Sequence, residues 1–291
     1  MSKNVSFIKT PEEIAAFRNA GVGNDRDWFR ECTGLFFAYL IDQKLYEKLL
    51  PPPLEPVGPI AWGFIGVLGT PVGNIYTYKE GGLFLFASYK DRVGGYCLSM
   101  PTDGREMGTF MGRELYSYPK KLSRIVLRRN GDECYGSIER NGVKFIEIKG
   151  AIGTPNEPEM FAKMLPAPEL EVPSKSIGLL IDYKLKCPGE DVFHFTATRF
   201  TDVQLIAHTS EWITHTCEDM RIEVTLRESE DDPWAELTPV KVLGARWQTY
   251  KVRLFGSTML KEYTGEEVEA LEPYLWNRYD TQLFGKPHLE F

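Results

Sequence analysis

An Asn-Gly pair, Asn141 followed by Gly142, is the sequence feature that most constrains the fold. It lies in the middle of the run 137–148, in which apolar and polar residues alternate. Asn and Gly accept the positive φ angles of a two-residue turn, and the twist of that turn matches the twist of paired strands. The run therefore predicts an antiparallel β-hairpin.

Most of the remaining chain also has the pattern of β-strands. Several runs alternate apolar and polar residues, as half-buried antiparallel strands do. The strand candidates are residues 83–89, 125–127, 177–185, 192–198, 203–208, 221–226 and 247–255. Because strands do not alternate regularly with helices, the pattern favours an α+β fold, mainly antiparallel, as a barrel or sandwich with helices outside.

Helices are few, and their ends are marked by capping residues or prolines. The predicted helices span residues 10–21, 43–50, 157–164 and 266–279. Thr10, Asp42 and Thr264 have the side chains that cap helix N-termini. Pro273 lies inside the last helix, where we expect it to kink or split the helix.

The acidic composition and the cysteines restrict the partners and the compartment. A net charge of −7 and an isoelectric point near 5.3 argue against a nucleic-acid partner. The five cysteines lie far apart and form no C-x-x-C pair, so we expect buried free thiols in a reducing compartment. The first residues lack the apolar core of a signal peptide, and no segment has the length of a membrane span. We therefore expect a cytoplasmic protein with no membrane partner.

Two consecutive lysines, Lys120 and Lys121, follow Pro119 inside an apolar and aromatic stretch. Pro119 biases Tyr118 toward an extended conformation, so we expect the lysines on a strand, where side chains alternate in direction. Only one of them then points into the interior. Burial disfavours a charged ammonium, and a neutral amine is a nucleophile toward ketones. From spacing alone, a strand end with two solvated lysines is an equally good interpretation.

The run 112–122 favours the buried lysine, because it resembles the lysine motif of the acetoacetate decarboxylase superfamily. In that motif a Gly-Arg-Glu sequence is followed by an aromatic residue, Pro and Lys-Lys. Weaker similarities extend over residues 34–255 and lie at 39–42, 49–55, 78–81, 201–203 and 239–241. The resemblance implies an acetoacetate-decarboxylase-like β-barrel or cone with a few peripheral helices. It also implies a homo-oligomer that needs no cofactor.

The same resemblance predicts one domain over residues 1–291. Residues 1–30 are then an N-terminal extension and residues 264–291 a C-terminal helical tail. Three catalytic residues match the family pattern: Lys120 as the Schiff-base lysine, Lys121 as its cationic neighbour, and Glu80 as the glutamate near the substrate.

The substrate-binding candidates are Tyr118, Met111, Phe64, Arg113 and Arg30. Two family positions differ. The arginine of the family's N-terminal strand aligns with Cys32, and Arg30, two residues away on the same face of a strand, is its expected substitute. A second glutamate of the family falls within residues 62–64, which contain no carboxylate.

The resemblance implies a lyase that decarboxylates a β-keto acid of the acetoacetate type through a Lys120 Schiff base. One alternative is an aldolase–dehydratase that condenses pyruvate with an aldehyde through the same lysine. Another is a non-catalytic barrel that binds an apolar ligand. For the decarboxylase and for the aldolase–dehydratase, the expected partner is a small keto acid. His208, His215 and Cys217 match no metal motif, so we expect no metal.

Overall fold

The structure is a computed structural model that describes residues 8–19, 28–69, 77–104, 106–187 and 198–280. Its strands are β1 (Trp28–Leu40), β2 (Glu55–Leu68), β3 (Tyr78–Tyr89), β4 (Arg92–Asp103), β5 (Lys120–Leu122), β6 (Arg124–Asn130), β7 (Glu133–Arg140), β8 (Val143–Ile152), β9 (Pro173–Lys186), β10 (Arg199–Leu226) and β11 (Lys241–Glu262). Its helices are α1 (Pro11–Arg18), α2 (Gln43–Leu49), α3 (Glu106–Tyr116), α4 (Pro158–Met164) and α5 (Glu266–Leu275).

The described strands form one large sheet, in the order β11-β1-β2-β3-β4-β9-β10-β8-β7-β6. β10 also pairs with β11, so seven strands make a closed circuit from which β8, β7 and β6 extend. The pairs β4–β5 and β4–β9 are parallel and the other pairs are antiparallel. The predicted mainly antiparallel, barrel-like α+β fold with peripheral helices is confirmed.

The predicted hairpin forms at its predicted turn. β7 pairs with β8. The two residues that join these strands, Asn141 and Gly142, have φ angles of 49° and 78°. Both angles are positive, as the turn type requires.

Local caps fix two of the predicted helix starts. The Thr10 hydroxyl accepts from the Glu13 N–H at 3.2 Å, and the Glu13 carboxylate accepts from the Thr10 N–H at 2.9 Å. Asp42 accepts from the Leu45 N–H at 2.9 Å. These are the contacts of a capping box and of an N-cap.

The last helix begins at Glu266, as predicted, but differs from its prediction in its cap and at its C-terminal end. Its N-cap is Gly265, with no side-chain cap, so the predicted cap by Thr264 is wrong. Pro273 lies within α5 without ending it, and the chain continues as a 3-10 helix, Trp276–Arg278. The predicted strand 192–198 and the predicted end of the first helix at Gly21 lie outside the described residues.

Other differences follow from long-range packing. β10 joins the two predicted strands 203–208 and 221–226 into one bulged strand of 28 residues. The prediction omits β2, β4 and α3, and only the family resemblance places a strand at Arg30 and Cys32, within β1. Leu271 and Leu275 of α5 belong to the same hydrophobic cluster as Leu35, Phe37 and Tyr39 of β1, so the C-terminal helix closes the main core. The division into one domain with two terminal extensions stays a prediction.

Burial of the cysteines is mixed. Cys32, Cys97 and Cys134 are buried free thiols, as expected, whereas Cys187 is exposed and Cys217 half-buried. Among the helices that the structure describes, none has the length and apolar character to cross a membrane.

Candidate active site

Lys120 lies on β5, beside Met100 of the parallel strand β4, and only 4% of its surface is exposed. Its Nζ donates hydrogen bonds to Oε2 of Glu80 and, at 3.2 Å, to the carbonyl oxygen of Gly108. The short strand thus brings the amine from the end of the lysine motif to a carboxylate on β3, 40 residues earlier in the chain.

Glu80 is buried and has a second donor, because the Tyr78 hydroxyl donates to its Oε2 at 3.2 Å. Burial, reinforced by the charge of Glu80, raises the pKa of Tyr78 well above its ordinary value. The phenol therefore stays protonated and remains a donor. The other carboxylate oxygen, Oε1, has no hydrogen-bond partner in the described part of the chain, which leaves it available to act on a ligand.

The contact with Glu80 is a feature that the sequence analysis does not include: Nζ of Lys120 forms a buried ion pair with this carboxylate. Transfer of one proton from Lys120 to Glu80 removes both buried charges at once. After this transfer the Glu80 carboxylic acid donates to the Nζ lone pair, and one amine hydrogen still donates to the Gly108 carbonyl oxygen. The lone pair becomes free for a carbonyl carbon when the Glu80 contact opens.

Two glycines let helix α3 approach this amine. A Cβ at Gly112 would lie 2.3 Å from Cε and 2.7 Å from Nζ of Lys120, so no larger residue leaves the lysine in place. A Cβ at Gly108 would lie 3.2 Å from the Tyr78 ring. Glycine lowers helix propensity, which is why the sequence does not predict α3. The two glycines lie four residues apart, which places them on one face of a helix. This spacing is the sequence signal that indicates α3.

Lys120 and Glu80 open onto a cavity of about 350 Å³ with mainly apolar walls. Its aromatic lining includes Phe29, Phe36, Trp62, Phe64, Phe84 and Trp212. A second cavity of about 230 Å³ shares Phe36, Trp62, Ser176 and Trp212 with the first. The volume lies within the range of pockets that enclose drug-sized ligands, about 300–1,000 Å³.

The structure places three of the five substrate-binding candidates at this cavity. Phe64, Met111 and Tyr118 line it, together with Tyr116 and Tyr250, which the sequence does not single out.

Arg30 and Arg113 are not among the residues that line the cavity, and their role in substrate binding stays a prediction. A bulge between Phe29 and Cys32 breaks the alternation of β1, and Arg30 is exposed while Cys32 is fully buried. Arg113 leaves α3 in another direction, with its guanidinium 5.9 Å from the ring centroid of Tyr279.

Lys121 diverges from Lys120, as strand alternation predicts, but it is buried rather than solvated. Its Nζ donates to the carbonyl oxygens of Asp231 at 2.6 Å and Tyr279 at 3.3 Å, and lies 3.3 Å from the Asp280 carboxylate. The lysine therefore links β5 to the residues that follow α5.

His208 is a site neighbour that the sequence does not identify. Its Nδ1 is hydrogen-bonded to the Tyr118 hydroxyl at 2.8 Å, and its ring lies 4.3 Å from that of Tyr116. Burial lowers the pKa of His208 to about 4, so the ring is neutral at pH 7. His215 instead contacts Glu171 at 2.8 Å. No group of three metal-ligating side chains occurs within the described ranges.

Comparisons with known proteins agree with this architecture. The family described as "Acetoacetate decarboxylase (ADC)" matches residues 15–264. A "CLA biosynthesis isomerase" of Lactiplantibacillus plantarum is similar at 28% identity over 286 residues, covering 96% of each chain. An "Acetoacetate decarboxylase" of Burkholderia cenocepacia is 30% identical over 112 residues, which is 38% of this chain and 44% of that protein.

Two solved structures show the same fold. The acetoacetate decarboxylase of Legionella pneumophila has a TM-score of 0.67 at 18% identity, covering 81% of this chain and 87% of that one. The enduracididine biosynthesis enzyme MppR, in complex with pyruvate, has a TM-score of 0.60 at 17% identity, covering 81% of this chain and 91% of that one.

Proposed function

Because this chain belongs to the acetoacetate decarboxylase family, we propose that Lys120 forms a Schiff base with a ketone and that Glu80 moves the protons of the reaction. The reaction that we propose is the shift of a carbon–carbon double bond in an apolar unsaturated ketone. The observation that carries the proposal is the buried contact between Lys120 and Glu80 at the edge of an apolar cavity.

Schiff-base formation begins with transfer of a proton from Nζ of Lys120 to Glu80. The neutral amine attacks the carbonyl carbon, and a carbinolamine forms. Glu80 then returns a proton to the carbinolamine hydroxyl, which leaves as water and gives the iminium. Each step needs one acid–base group within reach of the nitrogen, and Glu80 is already hydrogen-bonded to it.

The double-bond shift uses the same carboxylate twice. The iminium acidifies the neighbouring C–H, and Glu80 removes that proton to give a dienamine. Protonation at the far carbon of the dienamine moves the double bond into conjugation, and hydrolysis releases the ketone. Glu80 is the sole carboxylate among the described residues that line the cavity, and one carboxylate is sufficient for this transfer. The similar isomerase, matched over 96% of both chains, supports this outcome.

Decarboxylation of a β-keto acid is the second candidate, and the family description favours it. The same iminium accepts the electrons that are released when CO₂ departs. Glu80, which gave up its proton when the iminium formed, takes a new proton from water and passes it to the enamine. The described lining contains no arginine to hold a carboxylate beside the lysine, and its walls are mainly apolar. This composition suits an apolar ketone better than acetoacetate.

The aldolase–dehydratase alternative has the weaker support of a fold similarity to MppR, whose structure contains pyruvate. Pyruvate also needs a cation for its carboxylate.

A non-catalytic barrel is disfavoured by the amine and the carboxylate that are in contact inside an apolar cavity, since burying both charges costs free energy. A homo-oligomer and a cytoplasmic location stay predictions.

Borohydride trapping tests the proposal. The protein is reduced in the presence of acetoacetate, pyruvate or a β,γ-unsaturated methyl ketone, and its peptides are then weighed. We expect an adduct on Lys120 and its loss in Lys120→Met. Ultraviolet absorbance of a conjugated ketone indicates isomerisation, and CO₂ release indicates decarboxylation. Failure of all three carbonyl compounds to label Lys120 would refute the Schiff base.

A further inference from the structure

A cluster of polar side chains lies at the edge of the main cavity, apart from Lys120 and Glu80. Ser176 of β9 and Ser210 of β10 face each other across the strand pair, with their hydroxyl oxygens 2.8 Å apart. The indole N–H of Trp212 donates to both, at 2.9 Å and 2.8 Å. All three residues line the cavity, and Ser176 and Trp212 also line the second one.

A count of hydrogens shows what this cluster offers to a ligand. Two hydroxyls and one indole supply three donor hydrogens. The indole hydrogen is shared by both serines, and one hydroxyl hydrogen is used between the serines. The remaining hydroxyl hydrogen has no acceptor in the part of the chain that the structure describes. Of the four lone pairs on the two hydroxyls, three accept these hydrogens and one stays free, so the cluster can donate one hydrogen bond to a ligand and accept another.

Lys175 adds a positive charge to the lining of the cavity that contains the cluster. It precedes Ser176, lines the same cavity and is exposed. Its cross-strand neighbour is Glu211, but that carboxylate binds Arg253 at 2.8 Å. Lys175 forms no ion pair with the described residues, and its Nζ lies 5.8 Å from the Phe255 ring centroid. The acceptor that suits this place is therefore an anion.

We infer that Ser176, Ser210, Trp212 and Lys175 form a subsite for a carboxylate at the mouth of the cavity. Lys120 is almost fully buried, whereas Lys175 and Ser176 are exposed. A ligand that extends from Lys120 to the subsite therefore has one end in the buried part of the cavity and the other end at its solvent-exposed mouth. The substrate class is then an oxo acid in which an apolar chain separates the carboxylate from the ketone. The ketone part of this assignment rests on the proposed function, but the carboxylate part does not.

Binding of octanoate, which has an apolar chain and a carboxylate but no ketone, tests the subsite by calorimetry. We expect octanoate to bind more tightly than 1-octanol, both to the wild-type protein and to Lys120→Met. Lys175→Met weakens octanoate binding by about threefold to fivefold, as expected for a partly exposed ion pair. Ser210→Ala weakens it by about tenfold, because a hydrogen bond to a charged acceptor is lost.

The matched control is Lys184→Met, an exposed lysine of the same strand that does not line the cavity. It should leave octanoate binding unchanged. Equal affinity for octanoate and 1-octanol, or equal effects of Lys175→Met and Lys184→Met, would overturn the subsite. Because octanoate has no carbonyl that condenses with an amine, these outcomes are independent of whether Lys120 forms a Schiff base.

Discussion

Lys120 and Lys121 are neighbours on β5, yet their ammonium groups bind different carboxylates, Glu80 and Asp280. The first carboxylate belongs to the cavity and the second to the segment after α5. Mutual repulsion of the two cations is therefore offset on both sides by a nearby anion. This arrangement leaves Lys120 at the cavity and makes Lys121 a link between β5 and the segment after α5.

Replacement of Lys121 separates these two roles. Lys121→Met removes three contacts that connect β5 with Asp231, Tyr279 and Asp280. We expect urea unfolding to show a loss of about 2 kcal/mol, because buried acceptors lose a charged donor. Borohydride trapping at Lys120 should stay within about threefold of the wild-type rate at pH 7, since the charges diverge. A much larger change in trapping, with the fold intact, would make Lys121 an electrostatic partner of Lys120.

Glu80→Gln tests the proton transfers. The amide keeps the shape of the side chain but does not accept a proton, so exchange of the ketone's α-hydrogens with D₂O should slow by about two orders of magnitude. Nuclear magnetic resonance of the ketone measures this exchange. The control is Glu147→Gln, a buried carboxylate of β8 that does not line the cavity. Equal exchange rates in the two variants would remove Glu80 from the mechanism.

The sequence predicts those parts of the fold that are determined by neighbouring residues. The turn at Asn141 and Gly142 and the cap by Asp42 depend on conformations or contacts within a few positions. The lysine motif is equally local, and it identified both the family and the buried amine.

Contacts between distant segments could not be predicted in this way. The contact of Tyr118 with His208 joins residues 90 positions apart, and only the pairing of β9 with β4 and β10 brings them together. The bulge at Glu31, whose φ is 55°, reverses the face on which Arg30 was expected. A bulge depends on the partner strand, so the alternation of the sequence alone does not predict it.

Gly112→Ala tests the close approach of α3 to the amine. In an exposed helix this change adds about 0.5–1 kcal/mol of helix stability. Here the new Cβ would lie 2.3 Å from Cε of Lys120, at the flexible end of that side chain. We therefore expect the lysine to move away from Glu80, with folding retained and borohydride trapping at Lys120 lost. Circular dichroism checks the fold.

The control for this substitution is Gly256→Ala. Gly256 has no atom within 4 Å of its added Cβ, so both the fold and the trapping should persist. If Gly112→Ala traps ketones as well as Gly256→Ala does, contact between Gly112 and the lysine has no functional role.

His208 predicts how stability depends on pH. Burial lowers its pKa from 6.5 to about 4 in the folded protein, so the unfolded chain binds more protons between these two values. The free energy of unfolding therefore falls as the pH decreases from about 6.5 to about 4, by up to about 3 kcal/mol from this residue. Above pH 6.5 the contribution of His208 to the free energy of unfolding is complete.

In His208→Gln the decline over this window should be shallower, as measured by urea unfolding at several pH values. The matched control is His215→Gln, which changes a half-buried histidine of the same strand. The same slope in all three proteins would show that a charged His208 is tolerated in the folded state.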